Sequence, residues 1–286
     1  MKLVLGGTQF GMNYGFYSRQ KINKKEIKKI EKIALNSNIQ FLDTAPTYGN
    51  SEYIIGNSGL RNLNLTTKFK FSNYTEQNEI VIERLIFKSL KKLKISQLYG
   101  LFIHDYRNLL GYKGKILLRT LNQLKKKKII KKIGISIYEP SDLEKIWTFW
   151  KPDIVQFPFN VLDQRILRTN WLSKLKKNKV KIFARSCFLQ GLLLVDPYSI
   201  KISLENRKSL LKFHNWCFKN KISKKQACID FVKQNKKIDY LIIGFNNSLN
   251  LKESVNFFKK KSKIIPNIFS VNKTKIIDPR KWKKKF

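Results

Sequence analysis

The chain is poor in sulfur, in histidine and in acid. Its 286 residues hold three cysteines, Cys187, Cys217 and Cys228, and two histidines, His104 and His214. An odd, sparse set of thiols with no CxxC spacing excludes a disulfide framework and points to reduced cysteines in the cytosol. No stretch approaches the ~20 consecutive apolar residues of a membrane span. The apolar run in Met1–Gly7 is too short for a signal peptide, so a soluble cytoplasmic protein is expected. Glycine (13) and proline (7) are sparse as well. No linker rich in Gly, Pro or Ser divides the chain, and a single domain over residues 1–286 is expected.

Acidic residues number 19 against 59 basic ones, a net charge of +40. Such a surplus can mark a nucleic-acid or anionic membrane surface. Only 10 of the 59 are Arg, however, and readers of phosphate and bases favour the guanidinium fork. Abundant Lys, Ile, Asn and Phe together fit an AT-rich coding sequence. No specific nucleic-acid partner is expected. The charge still attracts anionic small molecules, phosphorylated cofactors included, in a salt-dependent way.

What is present is a folded composition, with 42% hydrophobic and 13% aromatic residues. Short β-rich runs alternate with helical patterns. Strands are expected at Leu3–Gly6, Gln40–Asp43, Leu65–Phe69, Leu98–Ile103, Ile133–Ser136, Ile154–Phe157, Val180–Ala184 and Leu241–Ile243. Helical spacing covers Lys24–Asn36, Glu79–Leu93, Lys113–Lys127, Ser141–Trp150, Asp163–Lys176, Leu204–Lys219, Ser223–Lys233 and Leu251–Lys260. Eight strands, each followed by helix, fit an α/β (β/α)8 TIM barrel. The rival, an open doubly wound sheet, wants a GxGxxG loop after the first strand. Gly6-Gly7-Thr8-Gln9-Phe10-Gly11 does not match it. Residues from about 262 onward form a C-terminal extension, and Lys273–Phe286 reads as a short surface tail.

Barrel chemistry sits at the C-terminal strand ends and in the loops that follow them. Asp43 ends the second strand, and Tyr48 lies in the loop after it. Lys68 closes the third strand and His104 the fourth. Singly, each has a plain structural reading: a helix cap, a rim aromatic, one of many lysines, a satisfied core histidine. Their joint placement at three successive strand ends is much less expected by chance than any one of them, and a carboxylate near a loop tyrosine suggests proton chemistry. A phenol with a pKa near 10 needs an adjacent cation to work near pH 7, and a buried cation needs a carboxylate. His214, in Phe213-His214-Asn215-Trp216, reads as structural.

The run Asp43-Thr44-Ala45…Tyr48-Gly49-Asn50-Ser51-Glu52, with Lys68 and His104, resembles the aldo-keto reductases, bacterial members included. Asp278–Trp282 is also similar to the close of bacterial members. The resemblance implies roles. Tyr48 matches the general acid, Lys68 the cation that lowers its pKa, and Asp43 the carboxylate pairing with that lysine. His104 matches the residue that orients the carbonyl. On the cofactor side, Ser136 and Gln156 match residues holding the nicotinamide carboxamide, and Gly7 and Thr8 match the loop beside its ribose. Ser186, Phe188, Gln190 and Gly191 belong to the loop that wraps the pyrophosphate. Gly244 and Glu253 match the adenosine-binding segment.

Three positions depart from the family pattern. Ile137 stands where Asn is common. Arg185 replaces the aromatic that stacks on the nicotinamide, and its guanidinium plane can stack in its place. Asn250 stands where a basic residue clamps the 2′-phosphate, with Lys252 as a substitute cation. The resemblance implies an NAD(P)H-dependent oxidoreductase reducing a small-molecule carbonyl with Tyr48 as proton donor and without a metal. NADPH is preferred, with NADH possible. The loop Arg185-Ser186-Cys187-Phe188-Leu189-Gln190-Gly191 resembles that of bacterial members associated with surface-polysaccharide sugars, so a sugar-derived carbonyl is expected. Phe10, Phe157 and Phe159 fit either an apolar substrate wall or the core. The alternative is a non-catalytic barrel that binds the cofactor and senses it or a partner.

Overall fold

The structure is a computed structural model, and residues 1–15, 22–71, 78–272 and 274–282 are described. Eight parallel strands close into a barrel in chain order: β1 (Lys2–Gly6), β2 (Phe41–Asp43), β3 (Asn64–Phe69), β4 (Leu98–Ile103), β5 (Ile130–Ser136), β6 (Ile154–Pro158), β7 (Lys181–Arg185) and β8 (Tyr240–Ile243). β8 returns to β1 with Leu5 opposite Ile243. The strands read as continuous apolar runs because both faces are buried. One face fills the barrel: Val4, Phe41, Phe102, Ile154, Phe183, Tyr240 and Ile242 pack together there. Phe183 stacks on Tyr240 with ring centres 4.1 Å apart. The interior is therefore filled by side chains and is no pore.

The helices are α1 (Thr8–Gly11), α2 (Lys24–Asn36), α3 (Ser51–Gly56), α4 (Glu79–Leu93), α5 (Gly111–Lys126), α6 (Ser141–Trp147), α7 (Trp171–Lys177), α8 (Leu204–Lys219), α9 (Lys224–Lys233), α10 (Ser248–Lys259) and α11 (Thr274–Ile277). Asn23, Asn78, Ser203, Ser223 and Asn247 cap α2, α4, α8, α9 and α10 by accepting a backbone N–H in the first turn. Each such cap contributes roughly 1 kcal/mol and fixes where its helix begins. The apolar stripe of α2, Ile27, Ile30 and Ala34, then packs onto the barrel.

Two expectations need correction. The helix expected over Asp163–Lys176 is broken. Asp163 bends its backbone into a one-turn 3-10 segment, Arg165–Arg168, by accepting from the Arg165 side chain. The Thr169 hydroxyl then donates to the Ile166 carbonyl and accepts from the Trp171 N–H, so α7 starts afresh. The tail is likewise no surface extension over its described part. Ile276, Ile277 and Asp278 are all but fully buried. Asp278 forks Arg280 through Nε and a terminal nitrogen at 2.9 and 2.7 Å, which folds Pro279 and Arg280 over the barrel mouth.

Candidate active site

The loop after β2 is held by buried polar contacts rather than by its own regularity. The Ser51 hydroxyl donates to the Gly7 carbonyl at 2.7 Å and shares a 2.8 Å hydrogen bond with Thr44. Glu52, 1% exposed, accepts from the Thr67 hydroxyl at 2.8 Å. The Ser-Glu pair is thus an anchor that ties α3 to β1 and β3. Close approach of α1 sets the last constraint. A Cβ on Gly11 would lie 1.8 Å from the Tyr48 carbonyl oxygen. Gly49, with φ +57°, faces the Gly11 carbonyl in turn. Glycine at both positions lets the Tyr48 loop sit against α1.

Register brings the strand ends level: Gly6 lies opposite Asp43, Asp43 opposite Thr66, Lys68 opposite Phe102, and Ser136 opposite Gln156. The Lys68 ammonium donates to Asp43 Oδ2 at 2.6 Å and to the Thr44 carbonyl at 2.9 Å. Thr66 and Gln156 both donate to Asp43 Oδ1, at 2.8 and 3.2 Å. Ser136 donates to Gln156 Oε1 at 3.2 Å and extends the network to β5. The ammonium also lies 4.9 Å from the Tyr48 ring centre. Burial works against the charge on Lys68, but Asp43 and then Tyr48 outweigh it and hold its pKa above the ordinary value. The opposite holds at His104. Burial, then the Lys68, Arg185 and Lys70 cations, push it down to about 3. The ring is neutral near pH 7, and its Nδ1 has no hydrogen-bond partner among the described residues.

Asp43, Tyr48, Lys68 and His104 all line one cavity of about 580 Å³. Thr8, Ser136, Arg185, Ser186, Phe188, Gln190, Gly191 and Gly244 line it too. Gly7, Gln156 and Glu253 do not. Gly7 sits behind the β2 loop, Gln156 is fully buried beneath Ser136, and Glu253 pairs at the rim with Lys225. Phe10, Phe157 and Phe159 are core residues, 1%, 2% and 1% exposed, and do not line this cavity. Ile137 is buried away from the cavity. Lys252 is exposed and does not face the cavity, whereas Lys225 on α9 does, beside Asn250 and Ser254.

Sequence reasoning missed several lining residues: Gln9, Tyr14, Tyr138, Lys225 and the tail's Arg280. Burial, then the nearby Tyr48, raise the pKa of Tyr14. Nothing in local periodicity flags such loop residues. The Asp278-Pro279-Arg280 run was the one available signal. The β7 loop is strained, with Ser186, Leu189 and Gln190 at φ +61°, +47° and +55°. Non-glycine residues in this region cost of order 1–3 kcal/mol each and cluster at ligand clamps.

The Aldo/keto reductase family model matches residues 2–270. The chain belongs to this family, a family of oxidoreductases. Among solved structures it is similar to an aldo-keto reductase from Bacillus halodurans in its holo form, at TM-score 0.71 and 16% identity over 92% of this chain and 88% of that one. It is also similar to the glycerol dehydrogenase of Gluconobacter oxydans, at TM-score 0.69 and 18% identity over 92% and 87%. No match is found among curated proteins. No helix among the described residues is long and apolar enough to cross a membrane, and none of their His, Cys, Asp and Glu side chains cluster as a metal site.

Proposed function

We propose that the protein reduces a small-molecule carbonyl to an alcohol with a nicotinamide dinucleotide, NADPH in preference to NADH. The observation that carries this reading is the buried Lys68–Asp43 pair beneath Tyr48, in a cavity shared with a neutral His104. The donor set suits the cofactor. Ser136, an uncharged polar group backed by buried Gln156, meets the cavity, and Gln9 brings a buried Oε1, unpartnered among the described residues, to its wall. Lys225, Asn250 and Ser254 meet it elsewhere and offer a cation and two neutral polar groups to a ribose phosphate. The strained β7 loop carries Ser186, Phe188 and Gln190 along the side.

When bound, the nicotinamide supplies hydride to the carbonyl carbon. The chain supplies the proton and the electrostatics. The Tyr48 hydroxyl gives its proton to the carbonyl oxygen. The Lys68 ammonium stabilises the negative charge left on the phenol oxygen, and Asp43 keeps that ammonium charged in a buried setting. Neutral His104 keeps one ring N–H to donate to the carbonyl oxygen and fix its approach. Positioned acid–base groups of this kind contribute ~10²–10⁴-fold.

Titration with NADPH and then NADH, followed by nicotinamide fluorescence and then by a panel of aldehydes and sugar-derived carbonyls, tests the reading. Binding of NADPH with turnover of at least one carbonyl is expected. NADPH binding without turnover of any of them would support a sensing barrel instead.

A further inference from the structure

The cavity holds a cation, Arg185, whose charge neither the proton-donating group nor stacking on the nicotinamide uses. Arg185, at the end of β7, lines the cavity. Its guanidinium donates to the Ile137 carbonyl at 3.1 Å and to the Ser186 hydroxyl at 3.3 Å, and it has no carboxylate within ion-pair distance among the described residues. The acids closest to hand are already taken. Asp163 is forked by Arg165 at 2.8 and 2.7 Å, Glu139 also faces Arg165, and Asp278 is forked by Arg280. A half-buried guanidinium left uncompensated beside a neutral histidine is costly unless a ligand brings negative charge.

The group is also held in place. Arg185 lies 4.4 Å from the centre of the Tyr138 ring, and Arg280 lies 3.6 Å from the same centre. One aromatic ring thus carries two guanidinium groups, one from the barrel and one from the C-terminal tail, and both line the cavity. Stacking restricts each plane; Arg280 keeps its Asp278 fork, and Arg185, with no carboxylate partner among the described residues, is left to meet a planar or tetrahedral anion.

We infer that Arg185, with Arg280 beside it on Tyr138, binds a carboxylate or phosphate carried by the carbonyl substrate. The inference rests on the carbonyl-reductase reading above and narrows its substrate class to anionic carbonyl compounds. Phosphate of the cofactor is the other source of such charge. Placement favours the substrate: Arg185 lies close enough to His104 and Tyr14 to perturb both, whereas Lys225 is the cation beside Asn250 and Ser254.

The test compares twins that differ only in charge: succinic semialdehyde against its methyl ester, and glyceraldehyde phosphate against glyceraldehyde. The readout is the ratio of kcat/KM within each pair, in wild type, Arg185→Gln, Arg185→Lys and Arg280→Lys. Wild type should favour at least one charged twin by about 10- to 100-fold, as a charge-assisted hydrogen-bond pair provides. Arg185→Gln should bring that ratio close to one, and Arg185→Lys should keep part of it. A wild-type ratio near one in both pairs overturns the inference. So does a ratio that persists in Arg185→Gln, and if that variant then binds NADPH more weakly, the charge belongs to the cofactor. If neither pair is turned over and no other carbonyl of the panel is, the carbonyl-reductase reading fails instead. Non-reducible succinate then decides: a rise in the melting temperature of NADPH-bound wild type that is absent in Arg185→Gln upholds the anion site, and equal or absent stabilisation overturns it.

Discussion

The ammonium of Lys68 lies 4.9 Å from the centre of the Tyr48 ring, and both groups face the same cavity. Lys68 comes from a strand end and Tyr48 from a loop, so their relation depends on β2 and β3 being in register and on the loop being pinned. The Asp43–Thr66 pairing supplies the first condition. Ser51, Glu52 and the two facing glycines supply the second.

Asp43→Asn should destabilise the fold by about 3–5 kcal/mol, because it leaves the Lys68 ammonium buried without its carboxylate. Lys68→Met in the same background should recover part of that loss, since the two groups are coupled. Urea unfolding of the two singles and the double variant measures both effects. Strict additivity would show that the pair does not act as one unit.

Gly11→Ala introduces a methyl group into the space of the Tyr48 carbonyl. The loop must shift, so stability should fall by about 1–3 kcal/mol and turnover should fall with it. Thermal unfolding and kinetics of the variant check this. Wild-type values in both would contradict the packing of α1 against the Tyr48 loop.

Both histidines are held neutral by burial first, His104 at about 3 and His214 at about 4. The unfolded chain takes up these protons near pH 6.5, so between that value and pH ~4 it binds more protons than the folded chain. Their contribution to stability is therefore complete above pH ~6.5 and is lost as the pH falls toward ~4 for His214 and ~3 for His104. Replacing His214 by Asn should make that decline shallower in urea unfolding. By NMR, the His104 ring should not titrate between about pH 8 and pH 5. A His104 midpoint near 6.5 would contradict its burial among cations.

Most of the barrel was legible because its signals are local. The apolar runs mark all eight strands, and the spacing of Ile27, Ile30 and Ala34 marks α2 to the residue. The break before α7 was hidden because Asp163 and Thr169 act through side-chain hydrogen bonds that interrupt a helical pattern without altering it. Asp43, Tyr48, Lys68 and His104 were legible as strand-end chemistry, and the structure brings them to one cavity. Arg280 was not, because the Asp278-Pro279-Arg280 run marks a turn but does not say that a lysine-rich tail folds back. Its placement depends on Asp278, a carboxylate buried far along the chain from Tyr48 and Lys68, whose cavity it helps to enclose. Lys225 was missed for a similar reason: it faces the cavity from a helix whose pattern reads only as amphipathic.

The role proposed for Tyr48 is tested most directly by the turnover of Tyr48→Phe with NADPH and a carbonyl that wild type reduces. The phenol oxygen is removed and the ring beside Lys68 is kept. Turnover should fall by about 10²–10⁴-fold, with NADPH still bound by fluorescence titration. Near-wild-type turnover in this variant would contradict Tyr48 as the proton donor.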